Sequence, residues 1–367
     1  MKQTTIFFVG SGIGRDLRGF EAHISDLFHH VRNEKDFNSH LIKASGQRSF
    51  SEVVARSLGR KQWPAKAIGF FLGKNAHFVQ QTSFLAGLIP LLYRYQPTVL
   101  YLGEPILFNY LYRWRNISGM KFRMIFFTGG NTVPLKMRSD DLLQLVTPAV
   151  IPLATQRGIT SEQMVLLPHF LDIKPAEAGD KKAMRIKLGI PDNRVILLSV
   201  GAIDASVKRM DYLIDEVSRL AIPFYLIMLG EHESETPAIR KLAETKLGSK
   251  NFHMSRVDRS ALGEYYKASD IFILASLKEG FGLVTIEAMH HGLPVVVHPH
   301  EVSKFVLGDM GIYSDLTKSG NLTTAMKTHL IDNEQAAEKR KQYIYDRFSW
   351  DNLSGEYLKL INRASGR

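Results

Sequence analysis

The chain has 367 residues, enough for roughly two domains with sizeable cores. Its composition, 45% hydrophobic and 23% charged, is that of an ordinary globular protein, and no apolar stretch is long enough for a membrane-spanning helix. The absence of cysteine excludes disulfides, thiolate metal sites and a cysteine nucleophile, while a net charge of +11 favours anionic partners.

Along the chain, short apolar runs alternate with amphipathic segments, the pattern of a parallel sheet covered on both faces. Thr5–Val9 is the first predicted strand, and its run Ile6-Phe7-Phe8-Val9 is too short for a secretory leader, so a cytosolic protein is expected, with any membrane contact peripheral and at the inner face. In Val9-Gly10-Ser11-Gly12-Ile13-Gly14-Arg15, Arg15 stands where G-x-G-x-x-G requires its third glycine. The next plausible strand, His40–Lys43, ends in Ala44 and not in an acid that could bind ribose. Both departures argue against a nicotinamide enzyme. Gly10, Gly12 and Gly14 read equally well as a flexible turn or as direct ligand contacts. A helix is predicted over Ala22–Val31, and further strands over Val99–Leu102, Met124–Phe127, Ala149–Pro152 and Val165–Leu167.

The positive charge is uneven: residues 1–175 hold 21 Lys and Arg against 11 Asp and Glu, and residues 176–367 hold 26 against 25. The excess is densest between Arg56 and Arg123, where aromatic residues such as Trp63, Phe70, Phe71, Tyr110 and Trp114 are interleaved with Arg60, Lys61, Lys66, Lys74, Arg94, Arg113, Arg115 and Lys121. That mixture suits an anionic membrane surface or an acidic acceptor, or equally a solvated basic face over an aromatic core. No nucleic-acid recognition motif accompanies it, so no nucleic-acid partner is expected.

Lys174-Pro175-Ala176-Glu177-Ala178-Gly179-Asp180 is polar and helix-breaking, and is the candidate linker. Beyond it, Val195–Val200, Phe224–Leu229, Ile271–Leu274, Pro294–Val297 and Gly311–Tyr313 are predicted as strands of a second unit. Ser276-Leu277-Lys278-Glu279-Gly280-Phe281-Gly282-Leu283-Val284-Thr285-Ile286-Glu287-Ala288-Met289 then places a carboxylate, a glycine turn and a helix with a second carboxylate after a strand end, before Gly292-Leu293-Pro294. Gly280 and Gly282 let the backbone approach a ligand, and the first amides of the helix form a positive end suited to a diphosphate. Glu279 and Glu287 can accept hydrogen bonds from sugar hydroxyls.

This signature, Ser-x-x-Glu-Gly-Phe-Gly-Leu-x-x-x-Glu-Ala-Met-x-x-Gly-x-Pro-Val-Val, resembles that of the retaining glycosyltransferases of family 4, glycosyltransferase group 1. The resemblance implies an α/β protein of the GT-B fold, with two Rossmann-like α/β/α domains facing each other across a cleft. The expected division is 1–175 for an acceptor-side domain, 176–345 for a nucleotide-sugar-binding domain, and 346–367 for a terminal helix, opened by Phe348-Ser349-Trp350, that packs back towards the first. The implied reaction moves a sugar from a nucleotide diphosphate donor, UDP or GDP, to an acceptor hydroxyl of a glycan or lipid-linked precursor, with retention at the anomeric carbon, in polysaccharide or glycolipid biosynthesis.

By the same resemblance Lys208 and Arg209 neutralise the donor phosphates, Arg209 standing in for an arginine that is Ala202 here. Glu279 orients the sugar and Glu287 holds the ribose. The amides of Gly280, Phe281, Gly282 and Leu283 face the diphosphate. Gly230 lies in the turn after a strand, the base is read near Arg256 and Val257, and Gly19, in Gly19-Phe20-Glu21, offers its amide to the diphosphate. Catalysis falls to Glu279, Lys208 and Arg209, with no metal and no cofactor. The histidine usual in the family after the strand ending near Phe127 is replaced by Thr128-Gly129-Gly130-Asn131-Thr132, which leaves Thr128, Asn131 and, from the first helix, His23 as acceptor-side candidates. His169 resembles part of an interdomain segment. A catalytically silent nucleotide-sugar-binding subunit, a sugar-nucleotide epimerase and a phosphorylase stay open on the same architecture, although no phosphorylase cofactor lysine or phosphate-site motif is present.

Overall fold

A computed structural model describes residues 3–15, 19–130, 132–174, 180–329 and 333–366. Asn131 and residues 175–179 of the expected linker lie outside the described residues. The chain divides into two compact units, one formed by Met1–Phe170 with Leu353–Arg367 and the other by Leu171–Asn352.

The first unit is built on strands β1 (Thr4–Gly10), β2 (Phe37–Lys43), β3 (Glu52–Val54), β4 (Val99–Leu102), β5 (Arg123–Phe127), β6 (Leu142–Leu145) and β7 (Met164–Leu166). They form one parallel sheet in the order β3-β2-β1-β4-β5-β6-β7. Helices on both faces bury these strands, which explains why β1, β4 and β5 are apolar almost throughout and do not alternate. Phe7, Val9, Leu100, Leu102, Phe126 and Leu143 form the centre of the core against Phe84, Leu88 and Phe108 from the crossing helices.

The second unit repeats the plan with β8 (Val195–Val200), β9 (Phe224–Leu229), β10 (Phe252–Ser255), β11 (Ile271–Leu274), β12 (Val295–Val297) and β13 (Ile312–Tyr313), in the order β10-β9-β8-β11-β12-β13. All its strand pairs are parallel, with Val195 opposite Phe224 and Ile271 opposite Leu197. In each unit the strand order reverses direction once, between β1 and β4 and between β8 and β11. Loops leaving the carboxyl ends of such a pair diverge to opposite faces and open a crevice, which makes these two places the natural ligand sites.

The predicted strand Ala149–Pro152 is not one. Pro148–Val150 is a short 3-10 turn and Ile151–Gln156 a helix, because Pro148 and Pro152 cannot donate to a ladder while both suit a first helical turn. Its place in the sheet is taken by Leu142–Leu145, whose Gln144 had masked the apolar run. The first helix begins at Gly19 and the last runs Trp350–Ser365. Within the first unit, Tyr357 from that last helix donates to the Pro168 carbonyl at 2.7 Å and accepts from Gln144 at 3.2 Å. Among the described residues no helix is long and apolar enough to cross a membrane.

Candidate functional site

At the reversal point of the second unit, two loops meet. The loop after β8 is folded around one carboxylate: Asp204 accepts from the amides of Val207 and Lys208, each at 2.7 Å. Its start is pinned to the neighbouring loop after β9, with Gly201 N donating to Leu229 O at 2.9 Å and Ile203 N to Glu231 O at 2.9 Å. Two glycines make this approach sterically feasible. A Cβ on Gly230, whose φ is +157°, would lie 1.7 Å from the Gly201 carbonyl oxygen, and one on Gly201 would lie 3.0 Å from the Lys208 stem.

Lys208 is thereby laid across to the loop after β11, where its Nζ meets Glu279 Oε1 at 2.5 Å. Both side chains are largely buried, at 18% and 14% exposure, so the pair is only thinly screened by solvent. Arg209 is committed differently. It sits in the left-handed region at φ 53°, donates from Nη1 to the carbonyls of Leu316 at 2.8 Å and Ala275 at 3.3 Å, and lies over the Tyr212 ring at 4.2 Å. Of the two cations, Lys208 is the one that faces Glu279.

Past Glu279 the chain turns through Gly282, at φ +82°, into the helix Leu283–His290. Ser276, Glu279, Phe281, Gly282, Thr285 and His300 line one concave surface there. The Ser276 hydroxyl is buried with no hydrogen-bond partner among the described residues, which marks a polar position turned into that concavity. His300 caps the helix Glu301–Leu307 by accepting at Nδ1 from the Ser303 amide at 3.2 Å. Burial lowers its pKa, against the opposing pull of Glu279, so it stands neutral beside the carboxylate.

Glu287 lies one turn into the helix. Its Oε2 accepts from the Tyr266 hydroxyl at 2.9 Å, and Arg259 approaches Oε1 at 3.5 Å. Burial and then the neighbouring Glu287 charge hold the Tyr266 phenol well above its ordinary value, which keeps it a donor. Arg256 pairs with Glu231 at 3.3 Å, and Gly230 N donates to Ser255 O at 3.0 Å, so Gly230, Arg256 and Val257 lie together at the ends of β9 and β10. Among the described residues, no three or more His, Asp or Glu come together as a group that could hold a metal ion.

In the first unit the glycine loop after β1 is tied down. Glu104 accepts from the Ser11 amide at 2.7 Å and hydroxyl at 2.5 Å, and Gln80 donates to the Ser11 carbonyl at 2.9 Å. Gly14, at φ +83°, packs so closely that a Cβ would come 2.3 Å from the Ser45 carbonyl oxygen. Gly19 opens its helix, and the next ring, Phe20, stacks on Phe127 at 4.8 Å. Thr128 is buried, with its hydroxyl accepting from the Val146 amide at 3.1 Å. His23 is also buried, with Nε2 2.9 Å from the Tyr101 hydroxyl and its ring beside His169 at 4.0 Å. Burial pushes His169 down to about 3. Both histidines and Thr128 are packed into the interior of this unit.

The structure thus brings Lys208 to Glu279 beside the Phe281–Gly282 turn, and sets Glu287 one turn into the following helix against Tyr266. Ser276, His300 and Tyr266 were not anticipated. Ser276 belonged to the recognised signature without a role, and the pair His298-Pro299-His300 after an apolar strand was the available hint for His300.

Residues 180–347 match the family model of the glycosyl transferases group 1. D-inositol 3-phosphate glycosyltransferase of Xylanimonas cellulosilytica is 29% identical over 250 residues, covering 62% of this chain and 58% of that protein, and the matched part of a Geodermatophilus obscurus counterpart is 38% of its length. The chain therefore spans little more than half the length of these relatives at most. The lipopolysaccharide core biosynthesis glycosyltransferase LpsE of Rhizobium meliloti is 24% identical, with 89% of this chain and 94% of LpsE covered. Among solved structures, sucrose-phosphate synthase of Thermosynechococcus elongatus superposes with a TM-score of 0.79 at 15% identity over 99% of both chains. Anabaena Alr3699/HepE in complex with UDP-glucose gives 0.76 at 14%, covering 98% of this chain and 100% of that one. The fold is that of the GT-B glycosyltransferases.

Proposed function

From a chain that carries a glycosyl transferases group 1 domain at residues 180–347 within a GT-B fold, we infer a glycosyltransferase that moves a sugar from a UDP or GDP donor to an acceptor hydroxyl in polysaccharide or glycolipid biosynthesis, with retention. One observation carries this reading: Lys208 and Glu279, from the two loops that diverge at the sheet's reversal point, pair at 2.5 Å beside the N-terminus of the helix Leu283–His290. A buried cation and carboxylate that satisfy each other are poised for exchange. When a sugar nucleotide enters, the diphosphate takes over Lys208, and Glu279 turns its freed oxygen to the sugar hydroxyls.

The bond from the anomeric carbon to the diphosphate oxygen then breaks as the acceptor oxygen bonds to the same face, and the acceptor's proton passes to the departing phosphate. Lys208 and the amides of the Gly280–Leu283 turn stabilise the growing phosphate charge. Tyr266 holds one oxygen of Glu287 so that the other is presented to the ribose. Gly230, Arg256 and Val257 border the base, and Arg209 acts mainly by fixing the loop that aims Lys208. This charge stabilisation requires no metal. HepE, which was solved with UDP and with UDP-glucose, supports a nucleotide-sugar donor, and LpsE supports a glycan acceptor. A silent donor-binding subunit is the second reading, favoured by Thr128-Gly129-Gly130, which offers no titrating group after β5.

A nucleoside diphosphate is expected to raise the thermal stability of the protein without divalent metal, contributing about 2.7 kcal/mol at 100 times its dissociation constant. Thermal unfolding with UDP or GDP in chelator checks this. Stabilisation that appears only with magnesium or manganese would remove the metal-free site.

A further inference from the structure

The helix Trp63–Phe71 wears its amphipathicity inside out. The positions it turns inward are small: Ala65 and Gly69 are buried, one turn apart, and a Cβ on Gly69 would lie 2.7 Å from the Lys74 carbonyl oxygen. The positions it turns outward are large. Trp63, Phe70 and Phe71 are 78%, 83% and 85% exposed, and Ile68 and Leu72 are exposed as well. Phe70 follows Trp63 by seven positions, two helical turns, so the two share a face, and the Phe70 and Phe71 rings lie 6.0 Å apart. Scattered exposed apolar residues are ordinary, but five within one short helix and its cap form a patch. The patch is also held out firmly. The chain after it folds back through Lys74 N to Gly69 O at 2.8 Å, and Asn75 caps the helix Ala76–Tyr95 by accepting from the Phe78 amide.

Charge identifies what covers the patch. Between Glu52 and Glu104 the sequence has no Asp or Glu, while Arg56, Arg60, Lys61, Lys66, Lys74 and Arg94 fall in that stretch. Lys66 is exposed on the helix itself, and Lys61 and Lys74 are exposed at its two ends. An aromatic face flanked by lysines complements an anionic bilayer, in which rings enter the headgroup and acyl boundary while lysines meet phosphates. We propose that the helix Trp63–Phe71 is a wedge that inserts into anionic lipid surfaces, with Trp63, Phe70 and Phe71 as the inserted groups and Lys61, Lys66 and Lys74 as the headgroup contacts. The proposal stands apart from the transfer reaction, since lipid binding is measured with no donor present.

The test is co-sedimentation of the full chain with phosphatidylcholine vesicles, with and without phosphatidylglycerol. Binding is expected to the anionic vesicles at low salt, falling steeply with salt and in the combined variant Lys61→Glu, Lys66→Glu, Lys74→Glu. The combined variant Trp63→Ser, Phe70→Ser, Phe71→Ser, all at exposed positions, should keep the native melting temperature and lose about a hundredfold in partitioning. Brominated acyl chains should quench part of the tryptophan fluorescence of the wild type, and that part should vanish in Trp63→Phe while binding persists. Undiminished binding by the serine variant, or no wild-type binding to anionic vesicles, overturns the proposal. So does a wild-type dimer that the serine variant breaks without any vesicle binding, which would make a second copy the occupant.

Discussion

Glu279→Ala is expected to slow sugar transfer by about two to three orders of magnitude, the usual loss when one preorganised electrostatic group is removed from a reacting centre. The substitution acts twice. It takes away the carboxylate proposed to accept from the sugar hydroxyls, and it removes the partner that holds Lys208 at 2.5 Å. Donor binding should suffer less than turnover, because the lone Lys208 is then more available to the diphosphate. Glu287→Ala should behave in the opposite way and chiefly weaken nucleotide affinity, since it deletes the proposed ribose contact and strands the Tyr266 hydroxyl that donates to it at 2.9 Å. Donor affinity and turnover measured side by side for both variants decide this, and equal, small effects would leave the two glutamates as structural partners of Lys208 and Tyr266 alone.

Asp141→Ala is expected to destabilise the first unit by about 3–5 kcal/mol, because it leaves a buried guanidinium uncompensated. Arg115 and Asp141 are both fully buried, joined by two parallel bonds of 2.8 Å and 2.6 Å. Asp141 further accepts from the amides of Met124 at 2.8 Å and Arg138 at 3.0 Å, while Arg115 donates to the Phe122 carbonyl at 2.7 Å. One ion pair thus ties the helix Pro105–Ser118 to the start of β5 and the approach to β6. Replacing both partners with apolar residues, Arg115→Met with Asp141→Leu, should cost less than Asp141→Ala alone, since no charge then stays buried. Urea unfolding of the three proteins measures it, and a cost under about 1 kcal/mol for the single change would contradict the reading.

What was legible in the sequence followed from burial on both faces of a sheet. Runs such as Ile271–Leu274 and Val195–Val200 are continuous and apolar because nothing on either side of them is wet. The turn Glu279-Gly280-Phe281-Gly282 was legible because Gly282 turns through a φ of +82°, which leaves glycine few substitutes. Less visible was the meeting of Lys208 with Glu279, 71 positions later, which depends on β8 lying next to β11. Ala149–Pro152 misled because its apolar residues match a strand while its prolines match a helix start. Arg115 was read only as part of a basic surface, since a sequence without a register cannot show that it faces Asp141 in the core. His300 and Tyr266 escaped for the same reason: His300 follows β12, which pairs with β11, and Tyr266 sits on the helix Leu262–Ala268 that leads into β11.

The most direct measurement is release of nucleoside diphosphate from a panel of UDP- and GDP-sugars in chelator, first without acceptor and then with glycan acceptors, following the anomeric configuration of the product. Slow release from at least one donor, acceleration by an acceptor, a product with the donor's anomeric configuration, and loss of all three in Glu279→Ala are the predicted results. Tight nucleotide binding with no release from any donor, identical in wild type and Glu279→Ala, would contradict a transferase and leave a donor-binding subunit.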